Sequence, residues 1–148
     1  IFEKNHVRPV ILGDRIMGEA REVGREQARL ARETKGPAAI ISGGECTVTI
    51  EGEGGRGGRC TEFLLSLGIE APGVWAIAAD TDGIDGSEDN AGALWTPDSL
   101  ERAVRENISP QAQLARHDSY GFFSALGDLV MTGPTRTNVN DYRAIVVV

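Results

Sequence analysis

The chain has 148 residues, 41% of them apolar and 25% charged, with a formal net charge of −7. That length and balance describe one globular domain able to bury a core, and the acidic surplus argues against a nucleic-acid or anionic-membrane binder, since both need a basic face. No apolar run approaches the roughly 20 residues of a membrane span, and Cys46 and Cys60 show no metal-ligand or disulfide-framework spacing, so they read as reduced, inert thiols in a cytoplasmic protein.

The opening "IFEKNHVRPVILGD" has neither an initiator Met nor a signal-peptide pattern, and it reads as part of a longer chain. Val7 to Leu12 predicts a short strand. Ile16, Ala20, Val23, Gln27 and Leu30 recur at helical spacing, so a helix follows, with Asp14 as its cap and Gly36-Pro37 as its stop. Ala38 to Ile41 and Thr47 to Glu51 read as two strands of a hairpin broken at Ser42-Gly43-Gly44. A glycine-rich loop, residues 52–58, leads into a helix from Arg59 to about Leu67. Gly73 to Ala79 is apolar without alternation, as strands covered on both faces are. Thr96-Pro97, Ser109-Pro110 and Asp118-Ser119 each open a helix, and Leu129 to Met131 and Arg143 to Val148 are the last strands. The alternation of elements predicts an α/β fold, a three-layer α/β/α domain with a mixed, mostly parallel sheet.

Three stretches carry candidate chemistry. Gly52, Gly54 and Gly57 satisfy G-x-G-x-x-G, but a hairpin arm is the wrong preceding element for a dinucleotide fingerprint, and Gly58 stands where a phosphate loop needs Lys. Glycine N–H groups at a helix start, with Arg56 and Arg59 beside them, still suit an anion; a plain hairpin tip is the alternative. The second stretch, "DTDGIDGSEDN", fails as a calcium loop, because the fifth and sixth positions from Asp80 are Ile84 and Asp85. Its placement after a buried strand nevertheless puts Asp80 and Asp82 where α/β proteins bind ligands. There they can hold Mg²⁺, bind hydroxyls or act as a base, while Glu88 and Asp89 read as surface. The third, "TGPTRTNVND", gathers short polar side chains that serve equally as turn residues or as ligand contacts. His6 and His117 read as surface or helix-end residues.

With these motifs in view, "ISGGECTVTIEGEGGRGGRCTEF", "AADTDGIDGSEDNAGA" and "DSYGFFSALGDLVMTGPTRTNVND" resemble the C-terminal MOFRL domain of the glycerate 2-kinase family, some of whose members are called hydroxypyruvate reductases. The resemblance implies a two-domain cytoplasmic enzyme that phosphorylates D-glycerate at its 2-hydroxyl from ATP with Mg²⁺. It also implies that residues 1–148 are one wall of an inter-domain site, inactive without a Rossmann-like N-terminal domain, which would be their partner. On that likeness Arg59 and Asp82 are catalytic, and Asp80 and Asp82 lie near Mg²⁺. Gly54, Gly55, Gly57, Gly58 and Arg56, with Thr137, Asn138 and Asn140, bind substrate or phosphate. A homodimer is a compatible assembly. The competing readings are an NAD(P)H-dependent hydroxypyruvate reductase and a non-catalytic ligand-binding module.

Overall fold

The structure, a computed structural model, describes residues 2–148. After a 3₁₀ turn at Glu3–Asn5, the order is β1 (Arg8–Glu19), α1 (Ala20–Glu33), β2 (Ala38–Thr47), α2 (Arg59–Glu70), β3 (Trp75–Asp80), β4 (Gly92–Trp95), α3 (Ser99–Arg105), α4 (Pro110–Ala115), α5 (Ser119–Leu126), β5 (Leu129–Val130) and β6 (Asp141–Val147). One six-stranded sheet runs β1-β2-β6-β3-β4-β5.

The α/β class and the mixed sheet are as expected; the strand directions are not. Of the five pairings only β1 with β2 is parallel, and the other four are antiparallel. The layering also differs. Alternate strand residues (Ile40, Ala76, Ala78, Ala93, Trp95 and Ile145) join a single core with the residues that the helices bury. All five helices therefore share one face, and the described residues form two layers rather than three. β3 accordingly alternates in exposure from Trp75 to Asp80 instead of being covered on both sides.

The glycines explain the remaining differences. β1 does not stop at Gly13-Asp14. Gly13 takes φ +106°, two register shifts absorb the irregularity, and the strand continues to Glu19. Asp14 is an exposed strand residue rather than a cap, and α1 starts at Ala20. The predicted 38–51 hairpin is absent because β2 passes straight through Ser42-Gly43-Gly44. These glycines mark close approach rather than a break: a Cβ on Gly44, at φ +124°, would lie 2.3 Å from the Ile16 carbonyl oxygen. β4 has no counterpart in the sequence reading, since four residues between an acidic loop and a helix cap show no period.

The other helices form close to where predicted, although α3 begins at Ser99 with Asp98 rather than Thr96 as its N-cap. Ser109 accepts from the Ala112 N–H at the start of α4, and Asp118 accepts from the Gly121 N–H at the start of α5. α1 and α2 pack at backbone distance, where a Cβ on Gly24 would meet the Phe63 carbonyl at 2.6 Å. The core is completed by Trp95, stacked on Phe122 at 6.1 Å, with Phe123 edge-on to both.

Candidate active site

Arg59, the first residue of α2, lies across the carboxyl end of β3 and the amino end of β6. Its Nε donates to Asp141 Oδ1 at 2.8 Å, its Nη2 donates to Asp80 Oδ2, and its Nη1 lies 3.4 Å from the Glu45 carboxylate. The Asp80 and Asp141 side chains are buried, whereas that of Arg59 is 22% exposed. Burial works against the Arg59 charge, but the Asp141 bond and the charges of Asp141 and Asp80 outweigh it and raise the pKa. Burial likewise pushes the Asp80 carboxyl above its ordinary value, opposed by the Asp82 N–H and by Arg59.

Asp141 is held from behind. Its Oδ2 accepts from Arg143 Nη2 at 2.8 Å. Arg143 is fully buried over the Phe63 ring, and the same Nη2 reaches Cys46 Sγ at 3.2 Å. Its Nε and Nη1 have no partner among the described residues. The sequence alone gives Arg143 no role beyond starting the last strand and leaves Asp141 as either a ligand contact or a loop cap. The available signal was an Asp and an Arg two apart in "DYRAIVVV", hence on one face of an otherwise apolar strand.

The second and third stretches meet. Thr81 N–H and Oγ1 both donate to the Asn140 carbonyl, Val139 N–H donates to Thr81 Oγ1, and Thr135 N–H donates to the Asp82 carbonyl. Gly83 lies so close to Gly133 that a Cβ would sit 2.1 Å from its oxygen. This stitching brings Asp82, Thr137 and Asn138 together with Arg136 around a concavity of about 350 Å³. Asp82 Oδ1 accepts from Ile84 N–H, and Asn138 Oδ1 accepts from Asn140 N–H. Asn140 contributes a backbone carbonyl to the loop junction rather than a side chain to the concavity.

The glycine loop takes a different form from the one expected. The α2 N-terminus, predicted to face an anion, is already filled by a protein carboxylate. Fully buried Asp85 accepts from the N–H groups of Cys60 and Thr61, both at 2.9 Å, and from Thr61 Oγ1 at 2.8 Å. Burial pushes this carboxyl up and those bonds oppose the shift. Gly55 donates to the Arg116 carbonyl, and a Cβ on Gly57 or Gly58 would strike Ser119 Oγ at 2.4 Å or Asp85 Oδ1 at 2.2 Å. Gly54 is exposed beside Ile50. Arg56 pairs with Glu88 at 2.6 Å and lies 3.9 Å over the Tyr120 ring, so Glu88 is a partner of the loop rather than a free surface charge.

His117 sits at a helix end but is buried, with Nδ1 3.0 Å from Glu62, which also pairs with Arg21 at 2.8 Å. This cluster ties α1, α2 and the end of α4 together. Both cysteines are free and buried, and burial raises both thiol pKa values. Among the described residues no three His, Cys, Asp or Glu side chains converge as a metal cage. The pair predicted near Mg²⁺ fits in one respect. Mg²⁺ commonly takes one or two carboxylates and fills its shell with water and phosphate oxygens. Asp82, half-buried at the concavity, suits that use, whereas Asp80 is committed to Arg59. No described helix is long and apolar enough to cross a membrane.

Residues 38–141 match the MOFRL family. A "Putative hydroxypyruvate reductase" of Agrobacterium vitis is 57% identical over 94% of this chain and 34% of its own length. A D-glycerate 2-kinase of Thermotoga maritima is 39% identical over 83% of this chain and 32% of its own. A crystal structure of a Thermotoga maritima glycerate kinase superposes with a TM-score of 0.91 at 35% identity, covering 99% of this chain and 37% of that one. The chain thus spans about a third of the length of the relatives it matches.

Proposed function

Because the chain belongs to the MOFRL family, we propose that it is one part of an ATP-dependent glycerate 2-kinase that makes 2-phosphoglycerate from D-glycerate, working with a larger N-terminal domain across a shared cleft. The observation that carries this reading is the placement of Arg59 over two buried carboxylates, Asp80 and Asp141, beside a loop pair that opens a polar concavity at Asp82. In the transfer, the 2-hydroxyl oxygen attacks the γ-phosphorus, the bond from phosphorus to the ADP oxygen breaks, and the hydroxyl proton leaves to a base. There is little covalent chemistry for the protein to perform, so catalysis consists of positioning and charge stabilisation. Arg59, whose Nε and Nη2 are held by Asp141 and Asp80, offers its permanent charge and its Nη1 to the transferring phosphoryl group or to the glycerate carboxylate. Mg²⁺ arriving with the nucleotide would neutralise phosphate charge, with Asp82 as the carboxylate that holds it. Thr137 and Asn138 line the wall for the substrate hydroxyls.

The filled end of α2 favours the kinase over the reductase. A dinucleotide pyrophosphate needs free N–H groups at a helix start, and here Asp85 takes those of Cys60 and Thr61. A coupled assay on the full-length protein separates the two activities. ADP release that depends on D-glycerate is expected. Loss of NADH dependent on hydroxypyruvate, without ATP, would overturn the proposal in favour of the activity named for the Agrobacterium relative.

A further inference from the structure

Among the described residues the helices use one face of the sheet, and the other is apolar and uncovered. Trp75 is 51% exposed there, Leu94 43% and Tyr142 42%. Their neighbours Ile77, Ala144 and Val146 complete a shallow groove of about 340 Å³ with Phe2 at its rim. At Tyr142 it meets a second groove of about 540 Å³, which crosses Ile11 and Ile41 and ends at Thr81, Val139 and Asp141. The bare face therefore runs continuously from the middle of the sheet to the loops of the Arg59 site. No charged side chain of the described residues lines the first groove. Contiguous exposed apolar surface of this kind is a common mark of a contact site.

The relatives indicate the occupant, since about two thirds of their length lies outside the matched part. Phe2, the first described residue, lines the first groove, so polypeptide joined ahead of it would start beside that face. A second copy would have to bring together two chains that each carry −7.

We propose that the helix-free face centred on Trp75, Leu94 and Tyr142 is the seat of the remaining part of its own longer polypeptide, which thereby comes to stand beside the Arg59 site. This deepens the kinase reading, resting on its premise that the 148 residues act within a longer protein, by naming the surface through which the two parts join.

Trp75 and Trp95 are the two tryptophans of the chain, and Trp95 is buried in the core, so acrylamide quenching of this chain reads Trp75. In the longer protein, Trp75 is isolated by subtracting the Trp75→Phe signal. Quenching of Trp75 should fall several-fold from the 148-residue chain to the full-length protein. Equal quenching in both overturns the proposal. So does a 148-residue chain that dimerises in sedimentation and protects Trp75 as its concentration rises, because the face then belongs to a second copy. As a second variant, Leu94→Glu should leave the urea midpoint of the 148-residue chain unchanged and make the full-length protein open to limited proteolysis between its parts; unchanged resistance counts against the proposal. Neither readout uses catalysis, so protection of Trp75 in a protein without glycerate kinase activity would retain the docking face and reject the activity.

Discussion

Asp85→Ala tests whether a protein carboxylate, and not a ligand, holds the start of α2. The substitution removes the acceptor for two buried N–H groups and for the Thr61 hydroxyl. Loss of a helix cap alone costs about 1 kcal/mol, and each buried donor left without a partner adds about 1–3 kcal/mol. The hydroxyl can still donate to the Gly58 carbonyl, 3.2 Å away, so the two amides dominate and the expected loss is about 3–5 kcal/mol. Against a total stability of about 5–15 kcal/mol, that lowers the melting temperature by roughly 10 °C at about 2–4 °C per kcal/mol. Urea unfolding followed by Trp95 fluorescence is the assay, because this ring packs so closely on α2 that a Cβ at Gly68 would come within 2.3 Å of it. Gly58→Ala should cost a similar amount by pressing on Asp85 from the other side. Gly58 has φ −136°, so that cost reflects close approach rather than backbone strain. The two losses should not add. A loss below about 1 kcal/mol for Asp85→Ala, or full recovery of stability on adding phosphate, would refute the argument and return the helix end to a ligand.

In the full-length enzyme, Arg59→Gln should lower kcat/KM for glycerate about 10²- to 10³-fold, as removal of a charge-stabilising group does; steady-state kinetics with less than a threefold change would remove Arg59 from the reaction. Asp82→Asn should raise the Mg²⁺ concentration needed for half-maximal turnover, measured by Mg²⁺ titration, and an unchanged requirement would count against its place near the metal. Burial holds the Asp80 carboxyl above its ordinary value of 3.8. As pH falls through that raised value the carboxylate becomes neutral and its pairing with Arg59 weakens, so the pH–rate profile should lose activity on the acid side earlier than an exposed aspartate would dictate. Asp80→Asn should abolish that limb.

The sequence made the helices and the site loops legible because their signals are local. Ser109-Pro110 and Asp118-Ser119 announce helix starts through cap chemistry that depends on a few neighbours. The sheet was harder, since strand direction and layering are long-range properties. Gly43 and Gly44 carry turn chemistry in isolation, yet here they let β2 pass close to β1 and β6, which removes the hairpin; the antiparallel pairs come instead from β6, which lies between β2 and β3, and from β4 and β5. Trp75 to Ala79 is apolar at every position, and nothing local shows that one of its faces lacks a helical cover. Proximity within the candidate site was legible where a motif gathers its own residues, as with Asp80 and the Asp82 N–H that it accepts from. It was obscure where partners lie far apart, as with Arg59 and Asp141, 82 positions away.

The charges of the site bear on what this chain does alone. Arg59 and Arg143 carry two positive charges and Asp80 and Asp141 two negative ones, so the buried cluster is neutral, and Glu45 at its rim adds a negative charge. A neutral, internally paired cluster offers little field to an incoming phosphate, and an anion reaching Arg59 must compete with carboxylates already bonded to it. On the proposed reading, binding of ATP and glycerate would therefore need positive charge from elsewhere, from Mg²⁺ and from the polypeptide that would cover the open face. Calorimetry of the 148-residue chain with ATP, Mg²⁺ and D-glycerate should accordingly show dissociation constants no tighter than about 1 mM, roughly −4 kcal/mol. Micromolar binding would mean that Arg59 exchanges its carboxylates for a ligand without help, and would favour a self-sufficient binding module over half of a shared site.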